Sequence, residues 1–507
     1  METNDKNIEL SKRKAPLEMT PDEFRETGHA LIERIADFLD TLPLRPVTTG
    51  ESPTMIRSVL GSQPLPETGT PTLKLFEQAT QLLFAHSLFN GHPRFWGYIT
   101  SSAAPIGALA DMLAATVNPN VGGFALSPMA TEIERQTIRW IAELIGFPVE
   151  GGGLLVSGGN MANFAGFLAA RTAKAPWNVR EEGISDKEKN LVIYCSKATH
   201  TWIEKAADLF GFGTQAIRWI AVNADQQMEV AALEKQIMTD QQAGYLPFLV
   251  VGTAGTVSTG AVDPLPAIAK ICRQYDLWFH VDGAYGAPAA VLPEASEHLK
   301  GLKAADSVAL DPHKWLYSPL EAGCVLVRHP KALLDTFSFH PEYYNFTGDA
   351  DDPEINFYEF GPQNSRGFRA LKVWMALQQV GKEGYVQMIR DDIALSEALF
   401  ALTQEHPQLQ AISQHLSITT FRFVPEDLAT ASAEVEQYLN QLNQELLNRL
   451  QTGGEAFLSN AVIDGKYCLR ACIVNFRTTL ADIQALPEII VRMGNQVDAE
   501  IRTEYLQ

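Results

Sequence analysis

The sequence predicts an α/β protein built on a largely parallel β-sheet with helices on both faces. Two observations indicate this fold: from residue 127 onward, short apolar segments that resemble strands follow one another, and helical patterns fill most of the gaps between them. Alternation of this kind is typical of parallel sheets that are covered on both sides. The length of 507 residues corresponds to roughly two to four domains at about 150 residues each.

Composition excludes several classes of protein. The chain is 46% hydrophobic and carries a net charge of −20, which argues against nucleic acid and anionic membranes as partners. No apolar run approaches the ~18 residues of a membrane helix. The polar start, METNDKNIEL, shows no signal peptide, and the five cysteines are scattered without a CxxC pair. We therefore expect a cytoplasmic protein with reduced thiols, without a disulfide framework, zinc ribbon or other metal site.

The N-terminal part is predicted to hold a capped helix followed by an extended arm. Thr20 can cap, Pro21 suits the first helical position, and Glu23 completes a capping box. The helical pattern continues to about Leu42. Residues 44–72 are rich in Pro, Gly, Ser and Thr, so we expect an extended connection there that packs on another domain or subunit.

The strands and helices of the main sheet can be read in order. Strands are predicted at Leu154–Ser157, Leu191–Cys195, Leu246–Gly252, Leu277–Asp282, Ser307–Asp311 and Gly323–Val327. Helices are predicted at 127–145, Asn160–Arg171, Val230–Gln241 and Pro264–Tyr275, and a long one at Arg366–His406. Two further strands, Ser417–Phe423 and Tyr467–Val474, lie between helices at Val435–Leu450 and Leu486–Ile501. The predicted domains are 1–104 (helix and arm), 105–379 (large) and 380–507 (small, α/β).

A glycine-rich turn follows the first predicted strand, with the sequence SGGNMAN at 157–163. A strand, glycines and then a helix can point backbone N–H groups at a phosphate. The turn matches neither the P-loop nor the dinucleotide fingerprint, because Val156 stands where the third glycine belongs. A tight strand–helix turn that binds nothing is an equally good interpretation of this motif alone.

Two further strands end on residues with chemistry. Asp282 ends one strand, and a buried carboxylate there needs a cation or hydrogen-bond donors. Lys314 follows the next strand, where apolar and aromatic neighbours would depress its pKa and make it a nucleophilic amine. Individually, a loop-fixing aspartate and a surface lysine are the commoner interpretations. A phosphate turn, an acid and a lysine together match the needs of pyridoxal phosphate (PLP).

The combined motifs resemble the PLP-dependent amino-acid decarboxylases, the family of aromatic-L-amino-acid and glutamate decarboxylases. The resemblance rests on HVDGAYG at 280–286, DPHKW at 311–315, HPRFWGY at 92–98, Ser127-Pro128 with Glu132, and RGFRALK at 366–372. It implies the aspartate-aminotransferase-like fold (fold type I) with a seven-stranded sheet. It also implies a homodimer in which the N-terminal segment covers the partner subunit, in agreement with the arm.

The resemblance also assigns roles to individual residues. Lys314 would bond to the cofactor's aldehyde, Asp282 would pair with the pyridine nitrogen, and His200 and Ala284 would contact opposite faces of the ring. The remaining cofactor contacts are assigned to Gly159, Asn160, Thr253 and His313. Trp96 and Tyr98 would line the substrate pocket. Asn160 and Asp311 depart from the residues common in relatives, and near the phosphate the Asp311 carboxylate would be unfavourable unless it is hydrogen-bonded or points away.

The acid that protonates the substrate carbon is less well defined. Many relatives carry a loop tyrosine for this step, and counting back from Arg366 places Phe357 there, with Tyr358 one residue later. Tyr358 is the predicted acid, and Tyr343 and Tyr344 are alternatives. Relatives with phenylalanine at this place can let oxygen intercept the carbanion and release an aldehyde.

The predicted activity is decarboxylation of an L-amino acid to its amine and CO2. An aromatic substrate is favoured because Phe95, Trp96 and Tyr98 could form an apolar wall, although aromatic residues are more often core. Ser365 matches a position where relatives with serine tend to take phenolic substrates. The alternatives are an aldehyde synthase, an aminotransferase that holds the substrate carboxylate with Arg470 or Arg477, and a PLP-binding protein without catalytic activity. A nicotinamide dehydrogenase is disfavoured because the dinucleotide fingerprint is not matched.

Overall fold

The fold is taken from a computed structural model that describes residues 11, 13, 15–184, 190–339, 354–428 and 432–505. Its strands are β1 Gly152–Val156, β2 Leu191–Ser196, β3 Ile217–Ile220, β4 Leu246–Thr253, β5 Trp278–Asp282, β6 Ser307–Leu310, β7 Gly323–Val327, β8 Leu409–His415, β9 Ile418–Phe423, β10 Ser459–Ile463 and β11 Lys466–Cys472. Its helices are α1 Pro21–Thr41, α2 Pro53–Leu60, α3 Thr72–Ala85, α4 Pro105–Val117, α5 Pro128–Ile145, α6 Gly159–Lys174, α7 Val179–Glu182, α8 Trp202–Leu209, α9 Val230–Gln242, α10 Leu265–Gln274, α11 Lys331–Phe337, α12 Ala370–Glu405, α13 Ala433–Gly453 and α14 Leu480–Tyr505.

The larger sheet has seven strands in the order β1-β7-β6-β5-β4-β2-β3. Within the sheet, each strand in the series β3-β2-β4-β5-β6 pairs in parallel with the next. Strand β7 is antiparallel to both of its neighbours, β1 and β6. Strands β2, β5, β6 and β7 are buried at every position, as expected for a sheet covered by helices on both faces. The predicted fold class is confirmed.

The smaller sheet has four antiparallel strands in the order β10-β11-β9-β8. It packs against α13 and α14, which bury apolar faces in a separate hydrophobic cluster. Helix α12 connects the two sheets, and its helical path is interrupted at Gly381, whose φ of +66° is left-handed. Glycine adopts this conformation without the steric penalty that other residues meet.

The N-terminal helix begins as predicted, with a capping box formed by Thr20 and Glu23. The prediction of an extended arm over residues 44–72 was wrong in part, because α2 forms within it. Ser52 caps that helix by accepting a hydrogen bond from the Met55 N–H at 3.2 Å, and Pro53 occupies the first turn. No helix in the described ranges combines the length and the apolarity needed to cross a bilayer.

Candidate active site

A cavity of about 200 Å³ lies at the carboxyl edge of the parallel strands. Open α/β sheets bind ligands at this edge, because the loops that follow the strands meet there. Its lining includes the eight residues predicted to bind the cofactor: Gly159, Asn160, His200, Thr253, Asp282, Ala284, His313 and Lys314. Residues from five separate segments, spread over more than 150 positions of the chain, therefore converge on one cavity.

The glycine-rich turn passes close to its neighbours. At Gly159, the first residue of α6, an added Cβ would lie 2.7 Å from Asp311 Oδ2 and 3.3 Å from the Ala284 Cβ. At Gly323 it would lie 2.5 Å from the Gly158 Cα. Side chains at these positions would fill the cradle formed by the α6 amino terminus, where backbone N–H groups and the helix dipole favour an anion.

Asp282 is held rigidly at the end of β5. Its Oδ2 accepts a hydrogen bond from Trp202 Nε1 at 2.7 Å, and its Oδ1 accepts one from the Ala284 N–H at 3.1 Å. The residue is only 5% exposed. Each oxygen retains a free lone pair, so the carboxylate can accept one more hydrogen bond from a ring N–H in the cavity.

Lys314 presents its amine to the cavity beside Asp311, with 2.9 Å between Nζ and Oδ2. Burial lowers the pKa of Lys314, but the nearby carboxylates of Asp311 and Asp282 more than offset this effect, so the pKa is raised. The expectation of a depressed pKa was therefore wrong for the cofactor-free protein. The apolar neighbours alone would depress the pKa, but the ion pair with Asp311, three residues earlier, has the opposite effect and, together with the Asp282 carboxylate, outweighs them.

The two cavity histidines are held as neutral bases. Burial lowers the pKa of His200 most strongly, and Lys314 adds to this effect while Asp282 opposes it. Its Nδ1 accepts a hydrogen bond from the Trp202 N–H at 3.2 Å, which leaves the proton on Nε2. Burial also lowers the pKa of His313, and its Nδ1 accepts a hydrogen bond from the Ala322 N–H at 3.1 Å.

The turn that follows Lys314 is held by hydrogen bonds to a buried carboxylate on α12. Asp392 Oδ2 accepts hydrogen bonds from Trp315 Nε1 at 2.8 Å and from the Tyr317 hydroxyl at 2.6 Å. Burial raises the pKa of Asp392 to about 7. The Tyr285 ring stacks on Trp315 with centroids 4.9 Å apart. The lysine turn is thus tied to the helix that connects the two sheets.

The residues present fit the cofactor that the motifs imply. The buried Thr253 hydroxyl lines the cavity without a hydrogen-bond partner among the described residues, so it can contact a ring substituent. Asp282 can hold a pyridine nitrogen, Lys314 can bond to an aldehyde, and Ala284 is small enough to leave room for a flat ring. Gly159 and Asn160 begin α6 and can hold the phosphate.

The predicted aromatic wall is not assembled at this cavity. Trp96 is fully buried in the hydrophobic cluster of the smaller sheet, and its Nε1 donates to Thr478 Oγ1 at 3.1 Å. Phe95 is 2% exposed and stacks on Phe457. Tyr98 is 54% exposed and lies beside Phe457, while its neighbour Ile99 lines the cavity. Phe95 and Trp96 are therefore core residues in this structure.

The structure also separates Phe357 from Lys314. Phe357 is 2% exposed, and the Arg366 guanidinium carbon lies 5.0 Å from its ring centroid. It lines a different cleft, together with Ile133, Pro330 and others. The Tyr358 N–H donates to the Gly122 carbonyl at 2.8 Å, and neither residue is among those lining the Lys314 cavity in the described chain. Tyr343 and Tyr344 lie outside the described residues.

Sequence reasoning gave no role to several residues at the cavity, above all Asn163 and Tyr285. Asn163 lies one helical turn after Asn160, so helical spacing was a usable signal. Its Oδ1 lies 2.7 Å from His280 Nε2, and His280 Nδ1 lies 2.7 Å from Ser307 Oγ. Because the amide oxygen can only accept, we assign the imidazole proton to Nε2.

Acid is expected to destabilise the fold through His280. Burial lowers its pKa from 6.5 to about 4, so the folded state resists a proton that the unfolded state binds. The contribution of His280 to the free energy of unfolding is therefore fully present above pH 6.5, and it falls by roughly 3 kcal/mol as the pH drops toward 4. Urea unfolding of the wild type and of His280→Gln between pH 7.5 and about 4.5 tests this. The variant's free energy of unfolding should depend less steeply on pH, and parallel profiles would contradict the prediction.

Comparison with known proteins places the chain in a family. Residues 54–424 match the pyridoxal-dependent decarboxylase conserved domain. The chain is 33% identical over 482 residues to an aromatic-L-amino-acid decarboxylase of Bacillus atrophaeus, covering 95% of this chain and 97% of the relative. A phenylacetaldehyde synthase of a Rosa hybrid cultivar is 28% identical over 477 residues, with 92% of each chain covered.

The solved structures agree with this result. The crystal structure of Oryza sativa TDC with PLP and tryptamine superposes with a TM-score of 0.88 at 26% identity, covering 96% of this chain and 99% of that one. The protein belongs to the pyridoxal-dependent decarboxylase family. It is a carboxy-lyase of fold type I, and the predicted pyridoxal phosphate cofactor is confirmed.

Proposed function

We propose that this protein decarboxylates an aromatic L-amino acid to the corresponding amine and CO2. The observation that carries the proposal is the convergence of the Lys314 amine, the Asp282 carboxylate and His200 on one cavity at the α6 amino terminus. The aromatic preference is supported by the relatives, one of which is an aromatic-L-amino-acid decarboxylase that matches nearly the whole chain. Ser365 favours a phenolic substrate, because relatives with serine at the matching position tend to take phenolic substrates.

Each residue has a defined task in this reaction. When bound, PLP supplies an electron sink for the pair left on the α-carbon as CO2 departs. Asp282, fixed by Trp202 and the Ala284 N–H, would keep a proton on the ring nitrogen and so favour that electron flow. Lys314 would hold the cofactor between turnovers and exchange its place with the substrate amine, which requires its nitrogen to give up and regain a proton.

The protonation of the α-carbon decides the product. An acid near the α-carbon gives the amine, whereas attack by oxygen gives the aldehyde, ammonia, CO2 and hydrogen peroxide. The aldehyde route is a second candidate because a phenylacetaldehyde synthase is among the relatives. Phe357 is buried against Arg366 and does not line the Lys314 cavity among the described residues. This weakens the argument that a phenylalanine at position 357 selects the aldehyde product.

Product analysis tests the proposed reaction. The PLP-loaded protein is incubated under air with L-tyrosine, L-phenylalanine, L-tryptophan and L-glutamate, and CO2, amine, aldehyde and peroxide are quantified. We expect CO2 and amine in equal amounts from an aromatic substrate. Equal amounts of CO2, aldehyde and peroxide would identify an aldehyde synthase, and an oxo acid without CO2 would identify an aminotransferase.

The loop acid is assigned by three matched variants. We propose Tyr358 for this role, with Tyr343 and Tyr344 as alternatives, and each is replaced by phenylalanine in turn. The variant that loses the acid should convert part of the substrate to aldehyde and peroxide while CO2 release continues, because the same carbanion precedes both products. Unchanged amine yield in Tyr358→Phe would exclude Tyr358.

We also propose that the active unit is a homodimer in the cytoplasm. Helix α4 exposes an apolar stripe formed by Leu109, Met112, Leu113 and Val117, which are 42% to 67% exposed. Stripes of this kind mark contact surfaces, and Leu65 in the arm is 91% exposed. The five free and buried cysteines support a reducing compartment. Sedimentation equilibrium of the holoenzyme gives the mass that decides between monomer and dimer.

A further inference from the structure

Asp311 is the least well satisfied charged group in the cavity. The residue is 2% exposed, and its Oδ2 lies 2.9 Å from Lys314 Nζ and 3.6 Å from His313 Nε2. Its Oδ1 is buried and has no hydrogen-bond partner among the described residues. A buried carboxylate that is only half paired is costly, so its presence calls for a functional explanation.

The carboxylate also lies next to the glycine-rich turn. Its Oδ2 lies against Gly159 so closely that a Cβ there would come within 2.7 Å. Gly159 begins α6, so the carboxylate occupies the end of the helix that favours negative charge. A phosphate held by Gly159 and Asn160 would therefore be a second anion beside Asp311, and the two would repel each other across a poorly solvated gap.

Lys314 supplies the compensating charge at Asp311. His313 and His200 have lowered pKa values, chiefly because of burial, so neither adds a full positive charge near neutral pH. The ion pair also keeps a proton on Lys314 Nζ. An ammonium must lose that proton before its nitrogen can bond to an aldehyde carbon, so Asp311 stabilises the unreactive form of the lysine.

We propose that Asp311 sets the affinity of the protein for its phosphorylated cofactor, by pairing with Lys314 in the cofactor-free state and by opposing the phosphate charge. This inference rests on the proposed function, because it places the phosphate at Gly159 and Asn160. It assigns Asp311 to cofactor loading and retention rather than to bond breaking in the substrate. The carboxylate makes the cofactor easier to exchange.

The test uses Asp311→Asn, which removes the charge and keeps the shape of the side chain. Cofactor-free wild type and variant are titrated with PLP and with pyridoxal, which lacks the phosphate, and binding is followed by the visible absorption of the lysine-bound ligand. We expect about tenfold tighter binding of PLP and a smaller gain for pyridoxal. The gain in affinity for pyridoxal measures the effect of releasing the Lys314 amine from its ion pair. The additional gain for PLP measures the repulsion between Asp311 and the phosphate.

A matched control removes an aspartate–lysine pair elsewhere. Asp276 pairs with Lys174 at 2.6 Å, and its side chain is 94% exposed, so Asp276→Asn should leave both affinities unchanged. Asp311→Ser serves as a second variant if the asparagine protein does not fold. Inorganic phosphate, added to the cofactor-free proteins, should raise the unfolding temperature more in the Asp311 variants than in the wild type.

The outcomes separate this inference from the proposed function. Weaker or unchanged binding of PLP by both Asp311 variants would overturn the inference, and so would equal gains for PLP and pyridoxal. Failure of the wild type to form the lysine-bound absorption band with PLP would instead contradict the proposed function.

Discussion

Lys314→Ala is expected to reduce turnover by at least about 10³-fold, because the chain then lacks the amine that bonds to the cofactor. The Lys314 nitrogen faces the cavity beside Asp311, and no other lysine lines the cavity in the described part of the chain. The measurement is CO2 release over many turnovers with the substrate found by product analysis. Far-UV circular dichroism should match that of the wild type, because the side chain lies at a cavity surface.

Lys303→Ala is the control for this variant. Lys303 is exposed and lies ahead of β6 in the chain, so its removal should leave both turnover and the visible absorption of bound PLP unchanged. The Lys314 variant should lose the absorption band of the lysine-bound cofactor even where PLP still binds. Sustained multiple turnover by Lys314→Ala would refute the assignment of this residue.

The largest loss of stability is expected from Arg366→Met, at about 3 to 5 kcal/mol. Arg366 and Glu134 form an ion pair in which the side chains are 2% and 0% exposed. Arg366 also donates to the carbonyls of Val121 and Leu155. Removing the guanidinium leaves the Glu134 carboxylate buried without its cation. Urea unfolding, followed by circular dichroism at one protein concentration, measures the change.

An exposed ion pair formed by Arg135, the residue after Glu134, provides the control. Arg135 pairs with Glu132 at 2.6 Å, but these side chains are 61% and 39% exposed, so Arg135→Met should cost less than about 1 kcal/mol. The double variant Glu134→Leu, Arg366→Met removes both charges and should recover part of the loss. A cost below 1 kcal/mol for Arg366→Met alone would show that the buried pair does not stabilise the fold.

The parts of this protein that could be predicted from sequence depend on local patterns. The alternation of apolar strands and helices predicted the larger sheet, and the strand-end positions of Asp282 and Lys314 predicted their meeting at one edge. Of the four edge strands, β1 was predicted, whereas β3, β8 and β10 were missed, and for β3 and β8 the physical reason is clear. β3 has four residues, of which Trp219 is exposed, and β8 carries polar residues at most of its positions, so neither shows the continuous apolar run of a central strand.

The remaining features depend on contacts between distant parts of the chain. Arg366 and Glu134 are 232 positions apart, and nothing in either local sequence announces their pairing. The burial of Trp96 is set by β11 and α14, which follow it by at least 370 residues. Aromatic residues suit cores and binding sites equally well, so only the fold separates the buried Trp96 from the exposed Tyr98.

The hydrogen bonds of Asp392 with Trp315 and Tyr317 have a consequence for motion. Asp392 lies on the C-terminal side of the Gly381 interruption in α12, so the turn that holds Lys314 is bound to a helix that continues to the smaller sheet. Local opening around that sheet would loosen the turn and the lysine within it. Amide hydrogen exchange along α12 and the spontaneous loss of PLP should therefore report the same opening event.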